Sequence, residues 1–168
     1  ENTGYGEVHL PELQMHTTSF WLSVPEALAA EVAGGRAQAI DGLRGVGVAL
    51  ELVATLALMC DPRDLGATLG DTGLGDADGE DVARPQAARG GPRPGYDPTL
   101  FVHEHIPGGT GLSERIWQNH AELLFRAERL VAGCPCEAGC PSCVGPTSDG
   151  ARKATALFLL ERMLGSHA

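Results

Sequence analysis

Positive charge is scarce in this sequence: twelve Lys and Arg stand against twenty-two Asp and Glu, leaving a net charge of −10. A protein that grips nucleic acid unaided offers a basic surface, because neutralised phosphates supply most of the non-specific affinity. The deficit argues against strong autonomous binding to DNA or RNA, although local Arg clusters can touch phosphates where a larger protein supplies the field. Long apolar runs are missing too. The most apolar stretch, Val46 to Cys60, is too short to span a bilayer comfortably and carries Glu51, so it reads as a buried helix with no membrane role. No signal pattern and no internal repeat is present. The Gly-Lys-Ser/Thr ending of a phosphate-binding loop occurs nowhere. Cysteine is limited to five, an odd number with four close together. That distribution argues against a secreted disulfide framework and for a cytoplasmic home.

What remains is ordinary globular composition, 43% apolar and 20% charged over 168 residues, enough for one domain covering 1–168 with its own core. The chain opens at Glu1 instead of Met, as expected for a piece of something longer or a processed product. Tyr5 to Leu10 and Leu13 to Val24 read as a strand pair, the second rich in Thr, Phe and Trp. Pro25 opens a short helix, Glu26 to Val32. A long helix follows from about Ala37 to Met59, apolar on most sides and therefore central, with Gly42, Gly45 and Gly47 allowing another element to approach closely. Residues of about 70–97 read as a flexible surface insertion dominated by Gly, Pro, Asp and Arg. Thr99 to His105 is a buried strand, and Pro107 to Gly111 a tight turn into one helix ending at Gly133. A last helix spans about Asp149 to Leu164, with Asp149 as N-cap. The fold class expected is α+β, helices packed on a small sheet.

The chemistry concentrates in Cys134-Pro-Cys136-Glu-Ala-Gly-Cys140-Pro-Ser-Cys143-Val-Gly145, a C-x-C-x3-C-x2-C pattern. Four thiolates suit tetrahedral zinc, and Gly139 and Gly145 free the backbone to turn around sulfur. Four protein ligands close the coordination, so the ion is structural and no position remains for activated water. Disulfides would require strained pairings such as Cys134 with Cys136. An iron–sulfur cluster uses the same ligands, and a Cys140/Cys143 redox pair is a further alternative.

Weaker signals stand beside this one. Cys60 reads as a buried small hydrophobe. His103 and His105 share a strand face but lack an identifiable third ligand. Asp61 and Asp64 read as a local cap around Arg63. Trp21 and Trp117 read as core. Arg115, Arg126 and Arg129 form a solvated face and, with Arg152 and Lys153 near the cysteines, are the candidates for phosphate contact. A stand-alone metal-dependent hydrolase or redox protein using His103, His105 and Cys60 is the rival reading.

Taken together, Cys60-Asp-Pro-Arg-Asp64, Pro107-Gly-Gly-Thr-Gly-Leu112 and Cys134 to Gly145 resemble the MrfA-like zinc-binding domain, the C-terminal domain of DEAD/DEAH-box DNA repair helicases. The resemblance covers most of the chain and is weakest before residue 36 and in the insertion. It implies an accessory domain of a superfamily-two, ATP-dependent 3′ to 5′ helicase. The implied partners are single-stranded DNA and motor domains in the same polypeptide, and the implied ligands of structural zinc are Cys134, Cys136, Cys140 and Cys143. The chain departs from the family at His103-Glu104-His105, where an Asp is expected after the strand. It contains none of the motor motifs.

Overall fold

Alternation decides the first element. In β1 (Ser19–Ser23) Phe20 is buried and Trp21 exposed, because successive side chains of a strand leave on opposite faces. The computed structural model describes residues 15–70, 97–147 and 150–165. The expected strand from Tyr5 to Leu10 therefore lies outside the described residues, and of the second, expected from Leu13 to Val24, the described residues form a strand over Ser19–Ser23. After β1 come α1 (Glu26–Glu31), α2 (Gly35–Leu58), β2 (Leu65–Gly70), β3 (Thr99–Glu104), α3 (Leu112–Gln118), α4 (His120–Gly133) and α5 (Arg152–Gly165). The fold is α+β, as expected.

The three strands make one antiparallel sheet in the order β1-β3-β2. In its register Trp21 faces Phe101, and Gly66 faces His103. The strand β2 has no counterpart in the sequence reading. Its residues, Leu-Gly-Ala-Thr-Leu-Gly, carry weak intrinsic β preference, and pairing along the whole of β3 overrides it. Gly70, assigned to the insertion, is the last residue of this strand. Asp97, at the other boundary, accepts the backbone N–H of Glu26 at 3.1 Å. The rest of the expected insertion lies outside the described residues.

The helix α2 is central because it is apolar on nearly every side. Leu43, Val46 and Leu50 are fully buried among α4, α5 and the inner face of the sheet. It stops at Met59, whose left-handed φ of 53° lets its N–H return to Thr55. The single helix expected from Leu112 to Gly133 is broken. Asn119, at φ −113° and ψ 14°, turns its side-chain amide to the Arg115 carbonyl at 2.8 Å, competing with the helical ladder, and α4 starts after it. The N-cap expected at Asp149 lies outside the described residues. Trp21 and Trp117, expected in the core, are 62% and 63% exposed. Trp21 falls on the outer face of the sheet, and Trp117 lies one position past the buried Ile116.

Candidate metal centre

The cysteines lie where three helices meet. Cys134 directly follows α4 with extended backbone, φ −70° and ψ 129°, so the chain leaves the helix axis at its first thiol. The Cys140–Val144 segment folds back as a tight turn in which the Cys143 and Val144 N–H groups both donate to the Cys140 carbonyl at 3.1 Å. Gly139 sits before it at φ 119°, where any Cβ would come within 2.6 Å of Val144. Cys143 and Val144 are buried, and Val144 packs beside Gly45 of α2. The turn is therefore seated on the core, while Cys134, Cys136 and Cys140 are half-buried.

All four Sγ atoms lie within 4.8 Å of one another. Cys134–Cys140, Cys136–Cys143 and Cys140–Cys143 are separated by 3.6, 3.5 and 3.6 Å. Zinc–sulfur bonds of about 2.3 Å in a tetrahedron place the sulfurs about 3.8 Å apart, which these spacings match. They exceed a disulfide bond, and all five cysteines are free thiols. The donor set thus fits a closed structural zinc site. As thiols the four are unequal. The Ser142 N–H and the neighbouring thiols bring Cys140 down to about 7, whereas burial pushes Cys143 up to about 12. Metal uptake has to displace protons from both.

The side chains around the cluster fix its backbone. Lys153, the one lysine of the sequence, sets its ammonium 2.7 Å from the Cys134 carbonyl and 2.6 Å from the Cys136 carbonyl. A cation there also offsets the negative charge that four thiolates leave around a divalent ion. Arg152 reaches the other way. Its guanidinium pairs with Asp41 of α2 at 2.5 Å and donates to the Pro146 carbonyl. Both residues, candidates for phosphate contact by sequence, are engaged within the domain. Arg115 and Arg129 are exposed on α3 and α4, and Arg126 pairs with Glu122 at 2.7 Å one helical turn away.

The other candidates do not join a second centre. Among the described residues, the cysteine cluster is the only group of three or more His, Cys, Asp or Glu side chains within reach of one ion. His103 and His105 lie together with ring centroids 5.1 Å apart, and His105 Nδ1 is 2.9 Å from the Arg63 carbonyl. Cys60 is half-buried outside the cluster, and burial, then Asp64, pushes its thiol up, the reverse of an activated nucleophile. Asp61 and Asp64 accept turn N–H groups from Arg63 and Asp61, as expected of a cap.

Sequence reasoning gave no role to Glu104. Its fully buried carboxylate accepts the Thr18 hydroxyl at 2.8 Å, the Thr110 hydroxyl at 2.8 Å and the Ser113 N–H at 2.9 Å, and it also accepts the Thr110 N–H. Those bonds pin the Pro107–Gly111 turn, in which Gly108, Gly109 and Gly111 all have left-handed φ. A Cβ on Gly109 would collide with the Thr18 hydroxyl. The signal was present in the alternation that puts residue 104 on the same face as Leu100 and Val102.

A family model described as the MrfA Zn-binding domain matches residues 46–144. An uncharacterised ATP-dependent helicase, YprA of Bacillus subtilis (strain 168), is 32% identical over 164 residues, covering 97% of this chain and 19% of the relative. A crystal structure of the DUF1998 helicase MrfA bound to DNA superposes with a TM-score of 0.69 at 30% identity, covering 97% of this chain and 19% of that one. A second, bound to DNA and AMPPNP, gives 0.58 at 30% identity over 96% of this chain and 17% of that one. The chain thus spans about a fifth of the length of the helicases it matches.

Proposed function

The chain belongs to the MrfA Zn-binding domain family, and on that premise we propose that it is the accessory zinc domain of an ATP-dependent DNA helicase. Cys134, Cys136, Cys140 and Cys143 hold the ion, residues 1–168 act as one unit, and motor domains elsewhere in the same polypeptide are its partners. The observation that carries this reading is the four-thiolate cluster seated on α2 at the junction of α4 and α5. Zinc there supplies folding energy and rigidity, not chemistry.

The work proposed for the domain is mechanical. A rigid body beside a translocating motor steadies the motor and shapes the path of the single strand. Arg115, Arg126 and Arg129 are the side chains proposed to face phosphate; Arg152 and Lys153 serve the strand only indirectly, through the contacts that hold the cluster. The motif resemblance supports 3′ to 5′ translocation and a role in DNA repair, and the odd, clustered cysteine count supports a cytoplasmic location. No helix of the described residues is long and apolar enough to cross a membrane. The rival hydrolase or redox reading gains no support among the described residues, where the histidines have no third ligand and burial pushes the Cys60 thiol up.

The test uses the full-length polypeptide. Cys140→Ser is expected to leave ATP hydrolysis by the motor measurable while strand separation falls at least tenfold. Unchanged unwinding by a variant shown to have lost its zinc would refute the accessory role.

A further inference from the structure

The outer side of the domain carries a groove that the metal centre does not explain. It lies between β1 and α3, encloses about 600 Å³, and is lined by Thr18, Phe20, Trp21, Ser113, Glu114 and Trp117 among others. Both tryptophans of the sequence are on it, and both are more than half exposed. An exposed indole is costly in contact with water, yet Trp117 is braced. His120 stacks on it with centroids 5.1 Å apart and planes 17° from parallel, and Phe20 lies against it at 6.3 Å. His120 Nδ1 also lies 2.6 Å from the Trp117 carbonyl.

Ser113 supplies the second observation. It is 5% exposed, and its N–H is fixed by Glu104, but its hydroxyl has no hydrogen-bond partner among the described residues. A buried hydroxyl without a partner is uncommon, because leaving it unsatisfied costs free energy. Here that hydroxyl belongs to a residue lining an aromatic groove, beside the exposed carboxylate of Glu114.

We propose that this groove is a stacking site for a base of single-stranded DNA, with Trp21 and Trp117 as aromatic walls and Ser113 as the polar contact to the base edge. The assignment rests on the helicase reading above and gives the single strand a defined contact on this domain. Base–indole stacking tolerates every base, because each has a π face. Glu114 can only accept hydrogen bonds when ionised, so it favours bases with exocyclic amino groups, cytosine and adenine, over thymine. In an acidic chain stacking carries most of this contact and only Arg115, Arg126 and Arg129 are proposed to add phosphate contacts, so its affinity depends on salt less steeply than that of a basic binder.

Because Trp21 and Trp117 are the only tryptophans, intrinsic fluorescence of the zinc-loaded chain reports on this groove alone. Titration with fifteen-nucleotide oligo(dC), oligo(dA) and oligo(dT) is expected to quench it. Trp117→Ala and Trp21→Ala are expected to weaken binding at least about fivefold with zinc content unchanged, the melting temperature holding in Trp21→Ala and falling slightly in Trp117→Ala through the lost Phe20 and His120 contacts. Ser113→Ala is expected to weaken binding of all three oligonucleotides, and Glu114→Gln, whose amide both donates and accepts, to narrow the difference among them. A labelled oligonucleotide followed by anisotropy provides the second arm. Rising anisotropy without quenching, and with equal affinity in Trp117→Ala, overturns the groove assignment and leaves the helicase role standing. No response in either arm also overturns it. Quenching by the separately expressed motor fragment in place of DNA makes the groove a protein-docking face, again against the proposal but in favour of the accessory role.

Discussion

The carboxylate of Glu104 accepts the backbone N–H of Ser113 at 2.9 Å, tying the last residue of β3 to the first turn of α3. Burial alone would raise the pKa of this group. The N–H groups of Ser113 and Thr110 and the hydroxyls of Thr110 and Thr18 outweigh burial and bring it down to about 2. The charged form is therefore what holds the glycine-rich turn, and with it the edge of the aromatic groove.

Glu104→Gln keeps the shape and removes the charge, so its amide NH2 meets donors where acceptors are needed. A loss of about 2–3 kcal/mol is expected, read as a lower midpoint in thermal or urea unfolding. The pH dependence has a definite sign. A carboxylate whose folded pKa, about 2, lies below its ordinary 4.5 stabilises the fold above pH 4.5, and that contribution fades as pH falls toward 2. The glutamine variant should show a flatter stability curve across that window. Parallel curves for the two proteins would mean that Glu104 does not carry this linkage.

How far the sequence reaches can be judged from such residues. The four cysteines and the helix α2 were legible because each rests on a local pattern, ligand spacing in one case and apolar continuity in the other. The small sheet was only partly legible, since β2 is made by its pairing with β3 and not by its own residues. Trp21 and Trp117 were misplaced because bulk apolarity predicts burial, whereas exposure depends on which face a neighbouring element leaves open. Glu104 was passed over because its partners Thr18 and Thr110 lie 86 and 6 positions away. Only the fold brings all of them to one carboxylate.

Removal of the metal should act through the whole domain. Four thiols brought within 4.8 Å of one another, one of them buried and pushed up to about 12, form a poor cluster without an ion to replace their protons. A strong chelator or Cys140→Ser is expected to lower the unfolding midpoint by well over ten degrees and to release about one zinc per chain. Elemental analysis of the purified chain sets the baseline, and iron with sulfide in place of zinc would overturn the assignment.

Lys153→Met keeps the aliphatic stem and removes the ammonium that holds the Cys134 and Cys136 carbonyls. The fold should persist, because the lost contacts lie around the metal and not in the core. Zinc affinity is expected to fall about 10- to 100-fold, measured by competition with a chromophoric chelator. Lys153→Arg should recover part of that loss. Equal affinity in Lys153→Met would make the lysine a bystander.

Gly42 tests whether the packing of α5 on α2 reaches the metal. A Cβ at Gly42 would strike the Thr155 methyl and come within 2.8 Å of its Cβ and 3.2 Å of its backbone carbon. The collision is with the body of α5, since Thr155 is also held by Gln38 at 3.3 Å and by its own bond to Ala151 at 3.1 Å. Gly42→Ala gains helix propensity of about 1 kcal/mol but forces the helices apart, and overpacking of this kind costs about 1–3 kcal/mol. A net destabilisation is expected. Because α5 also carries Arg152 and Lys153, the displacement should speed zinc release as well as lower the melting point. Thr155→Gly vacates the space, so the double variant should lose less than the two single changes together. Strict additivity would show that α2 and α5 adjust without contact at this position. Release of zinc at the wild-type rate from a destabilised Gly42→Ala would show that the cluster is insulated from the helix packing beneath it.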